Sequence, residues 1–249
     1  MKKFKTISKF LKVLIFTKKN LFVMKKILIV FGIFILLIYV EIYTKEKFFN
    51  TRIKNEIAKK EFVNLAEKNI IQDGDIIFHT SLSSQSKAIQ LATKSEYSHC
   101  GIIYKSNNKY YVFEAVQPVK LTPLDKWIAR GKDGEYVIKR LKNADEVLND
   151  ETLRKMQKIG ESFMGKSYDL TFEWSDEKIY CSELIWKVFH RATGIEIGEL
   201  EELSDFDLSH KIVQEKMNER YGENIPLNEI VISPKAIFES KLLTTIKEN

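Results

Sequence analysis

Cysteine is scarce in this chain, with only Cys100 and Cys181 among 249 residues. That scarcity excludes a disulfide-built scaffold and any zinc cluster made from cysteines. The four histidines, His79, His99, His190 and His210, are too scattered to suggest a metal site, and no cofactor is expected. Acidic residues are missing from the first 26 positions, which hold nine lysines. The formal net charge of +6 therefore resides in that tract, and the rest of the chain carries −3. Basicity gathered at one end is not a nucleic-acid-binding face, and no nucleic-acid partner is expected. Internal repeats and low-complexity tracts are also lacking. What is present is enough apolar material for a core, 44% hydrophobic and 12% aromatic, so the chain as a whole is not a disordered one.

The basic tract, 1–26, runs into ILIVFGIFILLIYV, fourteen apolar residues from Ile27 to Val40. Carried past Glu41 to Tyr43 the run reaches seventeen, the short end of what crosses a bilayer. A transmembrane anchor over 27–43 is the expectation, with a cleaved secretory signal as its rival. Lysines before the run place the N-terminus in the cytoplasm and the remainder of the chain across a bacterial membrane. No small-x-small cleavage site comes after Val40, which favours the anchor. Residues 44–69 are charged, with Phe48, Phe49, Ile53, Ile57, Phe62 and Leu65 near helical spacing. They read as a helical linker to a globular part over 70–249.

Within that part Asp73-Gly74 makes a turn before a short buried strand, Ile76–Phe78. SSQSKAIQLAT has a serine-rich start suited to capping a helix. HCGIIYK (99–105) and KYYVFEAV (109–116) are strand-like and flank Ser106-Asn107-Asn108, the pattern of an antiparallel hairpin. Next come a short helix (TPLDKWIARG), a strand over 135–141 and a helix over 146–163. Further on, DLSHKIVQEKMNERYG reads as an amphipathic helix and IVISPKAIFES as a strand and a turn. Strands clustered together with helices packed on them define an α+β domain.

The sequence KIYCSELIWKVFHRATG, 178–194, places Cys181 at the start of a helix. Ser182 and Glu183 suit a first turn, while Leu184, Ile185, Val188 and Phe189 form one apolar stripe, and Thr193-Gly194 supplies the stop. A thiol there feels the positive end of the helix dipole, which favours the nucleophilic thiolate. A buried structural cysteine is the competing reading. His99 begins one hairpin strand and Glu114 ends the other. With an even loop they share a sheet face, opposite each other or one diagonal step apart. A carboxylate beside an imidazole holds its tautomer and favours its charged form. A Cys181 helix laid across that face would complete a nucleophile, base and orienting group. Spacing alone leaves Glu114 open as a strand-end charge. Alternation turns Cys100 to the opposite face, away from Cys181, which argues against a Cys100–Cys181 disulfide.

The stretches GDIIF (74–78), SHCGI (98–102), FEA (113–115), GKSYD (165–169) and YCSELI (180–185) occur in this order. In that register they resemble the permuted papain-like cysteine hydrolases of the NlpC type, in the YiiX-like branch. The resemblance implies a circularly permuted papain-like α+β fold, an antiparallel sheet packed against helices, here preceded by the transmembrane helix. It also implies Cys181 as nucleophile, His99 as general base and Glu114 as orienting residue. Tyr168 and Asp169, on the loop before the cysteine helix, and Tyr180 beside the cysteine are candidate substrate contacts. A loop tyrosine packing down and an aspartate capping a turn is the alternative for the first two. Cys100 departs from the branch, which usually carries an aliphatic residue there. The activity implied is that of a membrane-anchored amidase or peptidase using an acyl-thioester intermediate, with cell-wall peptides as substrate class. Lecithin:retinol acyltransferase-like proteins resemble the same arrangement and make a lipid acyl group the alternative substrate. A non-catalytic anchored binding module is the third reading. An apolar tunnel at Cys181 would favour lipid, and a polar open groove peptide.

Overall fold

The computed structural model describes residues 2–107 and 109–248, with side chains from residue 25 onward except 27, 28 and 30. The side chains of most of the basic tract, and Asn108 in the hairpin loop, lie outside the described residues. The chain divides into two compact units, residues 1–53 and 54–249.

Helix α1, Lys2–Glu67, begins in the first unit and ends in the second. In the first unit its described apolar side chains are exposed, Phe34, Leu37 and Tyr39 among them. The expected transmembrane segment over 27–43 is overturned: among the described residues no helix is long and apolar enough to cross a membrane. The physical reason is length. Even the seventeen residues from 27 to 43, at about 1.5 Å each, rise roughly 26 Å against about 30 Å of hydrocarbon, and only the first fourteen are apolar without interruption. Lys25-Lys26 and Glu41 close the run at either end.

In the second unit the end of α1 belongs to the core. Ala58 and Leu65 are buried, and Glu61 accepts a hydrogen bond from the Tyr136 hydroxyl at 2.6 Å. After the Asp73-Gly74 turn come β1 (Ile76–His79), α2 (Ser84–Thr93), β2 (His99–Ser106), β3 (Lys109–Glu114) and β4 (Lys120–Pro123). Next are α3 (Leu124–Arg130), β5 (Val137–Leu141), α4 (Ala144–Val147), α5 (Asp150–Phe163) and α6 (Cys181–Thr193). The chain closes with β6 (Glu201–Glu202), α7 (Lys211–Tyr221), β7 (Ile230–Val231), α8 (Pro234–Phe238) and β8 (Leu243–Glu248). The Ser83 side chain caps α2 by accepting from the Ser86 N–H. Asn149 caps α5, splitting the expected helix over 146–163 into α4 and α5.

Among the described residues six strands form one sheet, in the order β4-β3-β2-β1-β5-β8, with every neighbouring pair antiparallel. β6 and β7 form a separate two-stranded ribbon. Strand alternation divides the core. Ile76, Phe78, Cys100, Ile102 and Phe113 face α5 and α6, packing with Met156, Phe163, Leu184, Ile185 and Val188. Ile77, Ile103, Val112 and Ile138 point the other way, toward α3 and the end of α1, against Leu124, Trp127, Ala58 and Leu65. Two helical layers on an antiparallel sheet leave the end of β2 between them, and the site lies there.

Candidate active site

α6 starts where the sequence places it. Tyr180 is extended (φ −106°, ψ 170°) and Cys181 is the first helical residue. The Glu183 carboxylate accepts from the Tyr180 N–H at 3.3 Å, a local clamp on the first turn. Two more bonds fix this end to the chain before α8. The Ser182 hydroxyl donates to the Ile232 carbonyl at 2.7 Å, and the Ile232 N–H donates to the Tyr180 hydroxyl at 3.0 Å. The helix stops at Gly194, whose φ of +75° is a left-handed conformation that favours glycine.

β2 and β3 are in a register that puts Gly101 opposite Glu114, so His99 and Glu114 are one diagonal step apart on a shared face. The ring N–H of His99 Nε2 donates to Glu114 Oε2 at 2.6 Å. Glu114 is fully buried and takes three further donors: Thr122 Oγ1 at 2.6 Å, Trp127 Nε1 at 3.0 Å, and the Arg130 guanidinium. Gly101 makes the approach possible, since a Cβ there would sit 2.4 Å from Val112 Cγ1 and 3.4 Å from Glu114 Cβ.

The Cys181 thiol lies beside the His99 ring and the Cys100 thiol and N–H, near enough for each to act on its charge. Because Nε2 of His99 is engaged by Glu114, Nδ1 is the nitrogen left for sulfur. Contrary to the alternation argument, Cys100 turns toward Cys181. α6 packs on the Cys100–Ile102 face of β2, not on the His99–Glu114 face. The thiol therefore meets the imidazole past the end of the strand, with Cys100 alongside. Neither cysteine is in a disulfide among the described residues.

The charges result from these contacts. Burial disfavours a charged His99, but hydrogen bonds to Cys181 and Glu114 outweigh it and raise its pKa to about 9. The Cys100 thiol, the His99 ring and the Cys100 N–H hold the Cys181 pKa well below a thiol's ordinary value, against the opposing effect of burial. Burial alone would raise the Glu114 pKa; hydrogen bonds and charges of His99 and Arg130 hold it well below the usual carboxylate range. All three directions favour a thiolate–imidazolium pair backed by a carboxylate.

Two cavities flank this pair. One, of about 360 Å³, is the more polar of the two, with His79, Ser98, His99, Gln117 and Arg130 in its wall beside Ala115, Val116 and Leu170, a size typical of small-molecule sites. The other is apolar, with Ala88, Phe172, Leu203, Val213 and Met217 leading to Cys181. Tyr168 lines both, and its hydroxyl accepts from Gln85 Nε2 at 3.2 Å. Tyr180 lines the apolar cavity. Asp169 lines neither: it is buried, and its Oδ1 accepts from the N–H and hydroxyl of Thr171, both at 2.8 Å. That is the turn-capping alternative.

Sequence reasoning missed Thr122, Trp127 and Arg130. The i, i+3 spacing of Trp127 and Arg130 on α3 was the available signal. His79 is buried on the cleft wall, stacked on Trp127 with ring centroids 3.9 Å apart. Lys187, on the polar side of the expected stripe, is buried too, paired with Glu183 at 2.7 Å and Asp176 at 2.9 Å. Among the described residues no group of three or more His, Cys, Asp or Glu side chains is arranged to hold a metal ion.

A strand-borne histidine and glutamate preceding the cysteine helix is the order of a permuted papain-like enzyme, and residues 70–247 match the model of one such group. The chain belongs to the permuted papain-like amidases of the YaeF/YiiX, C92 family. It is similar to YiiX of Escherichia coli (strain K12), with 52% identity over 175 residues, 70% of this chain and 85% of that protein. The crystal structure of metalloprotein yiiX from Escherichia coli O157:H7 superimposes with a TM-score of 0.68 at 52% identity, covering 72% of this chain and 97% of that one.

Proposed function

We propose that Cys181, His99 and Glu114 act as a catalytic triad that hydrolyses an amide with an apolar acyl group and a polar amine. The thiolate of Cys181 attacks the carbonyl carbon, and the Cys181 N–H at the helix start stabilises the oxyanion. The His99 imidazolium gives its proton to the departing amine, leaving a thioester on Cys181. His99, now neutral, takes a proton from water, which attacks the thioester and releases the carboxylic acid. Glu114 keeps the ring oriented and its charge balanced throughout.

The observation that carries this reading is the apolar cavity that reaches Cys181, with the more polar cavity on the His99 side. An apolar acyl chain suits the first and a hydrogen-bonding amine the second. Polar cell-wall peptides suit the first less well. The test is hydrolysis of a series of p-nitroanilides from acetyl to decanoyl, alongside a cell-wall peptide. We expect kcat/KM to rise with acyl length and to vanish in Cys181→Ala. Faster cleavage of the peptide, or turnover by the Cys181→Ala protein, would overturn it.

A further inference from the structure

The nucleophile has an unusual neighbour. Cys100 is fully buried on the α6-facing side of β2, the strand α6 packs against, and it shares a core cluster with Cys181, its thiol beside the Cys181 sulfur. The two differ in access. Cys181 lines the apolar cavity, whereas Cys100 lines none of the cavities at the site. A small oxidant entering there meets Cys181 first, and Cys100 can meet only Cys181.

We propose that Cys181 and Cys100 form a hydroperoxide-oxidisable dithiol that closes reversibly to a disulfide and switches off thiol chemistry at this site. The proposal needs the contact between the two sulfurs and not the amidase reading. In the first step the Cys181 sulfur attacks one peroxide oxygen; an S–O bond forms and the O–O bond breaks. The departing oxygen takes the His99 proton and leaves as water or an alcohol, and Cys181 becomes a sulfenic acid. In the second step the Cys100 sulfur attacks the Cys181 sulfur; the S–S bond forms, the S–O bond breaks, and hydroxide leaves with the Cys100 proton as water. One dithiol and one hydroperoxide thus give one disulfide, one water and one water or alcohol. An external dithiol reverses the change.

The electrostatics suit this division of labour. Cys181 is held toward thiolate, the reactive form, while burial and the neighbouring Cys181 charge push the Cys100 pKa well above its ordinary value, keeping it a protonated thiol. Oxidation of Cys181 removes that charge and so eases deprotonation of Cys100 for the second step.

The test treats the reduced full-length protein with hydrogen peroxide, then alkylates it in denaturant with iodoacetamide and maps the peptides by mass spectrometry. Wild type should lose two hydrogens, resist alkylation at both cysteines, and yield a linked peptide carrying Cys100 and Cys181. Dithiothreitol should restore both thiols. In Cys100→Val, checked for folding by circular dichroism, Cys181 should proceed to sulfinic or sulfonic acid. The fraction recovered by dithiothreitol should then fall about ten-fold or more. Oxidised wild type with Cys100 still fully alkylatable, or equal over-oxidation of Cys181 in both proteins, would overturn the proposal. Because the readout is mass, a protein without amidase activity still reports on the pair.

Discussion

Replacing Glu114 with glutamine removes one charge while keeping shape, and the contacts of this carboxylate set the outcome. Glu114 Oε2 accepts from His99, Trp127 and Arg130, and Oε1 from Thr122. A glutamine places its carbonyl at the three-donor position, and its NH₂ meets the Thr122 hydroxyl, which turns to accept. The hydrogen-bond pattern survives and the charge does not. Arg130 loses its partner, but its side chain is 41% exposed and turns to water, so the stability cost is about 1–3 kcal/mol. The larger effect falls on His99. Its pKa of about 9 depends in part on the Glu114 hydrogen bond and charge. Without them the imidazolium is less stable, and each unit lost is about 1.4 kcal/mol. The sign is set by which form works: the pair needs His99 protonated, so activity is present below its pKa and declines as pH rises through it. In wild type that decline centres near pH 9. In Glu114→Gln it moves toward neutral pH, and kcat/KM falls by about 10²–10⁴ at its optimum. The assay is amide hydrolysis across pH 5–10, paired with Cys181 alkylation rates over the same range. An unchanged alkaline limb in a folded Glu114→Gln protein would refute the assignment of Glu114 as the group that holds His99 charged.

The Cys181 thiol should react with iodoacetamide well below pH 8, and His99→Gln should slow this by about ten-fold or more at pH 6, measured by intact mass. Gly101→Ala should destabilise the protein by about 1–3 kcal/mol in urea unfolding and lower activity, because the added methyl meets Val112 and the Phe113 carbonyl beside Glu114. Arg140→Met should cost about 3–5 kcal/mol, since it leaves the fully buried Asp75 carboxylate without its two-point partner at 2.7 and 2.8 Å. Leu208→Trp, filling the apolar cavity from its half-buried wall, should raise KM for a decanoyl amide about ten-fold while leaving an acetyl amide little changed.

Features with short-range signals were legible from the sequence. The start and stop of α6, the β2–β3 hairpin and the cap of α2 depend on residues a few positions apart, and the structure has them there. The hairpin register brings His99 and Glu114 together by the same local logic. Which face α6 covers was not legible, because that depends on how a helix nearly seventy residues downstream packs on the finished sheet, and the expected orientation of Cys100 failed with it. The same holds for Lys187, buried by an ion pair to Asp176 from the preceding loop. Strand β8, with Thr244, Thr245 and Lys247 along its length, has no clear alternation; it pairs with β5 at the sheet edge and was not anticipated. The apolar run over 27–40 has the composition of a span without the length.

The last three turns of α1 also define what fragment of this protein can stand alone. A recombinant piece trimmed to residue 70, where the family match begins, would lack Ala58, Phe62 and Leu65. Trp127, Tyr136 and Ile138 would lose the cover those residues provide. Such a piece should be prone to self-association, whereas one starting near residue 54 should behave as a monodisperse sample.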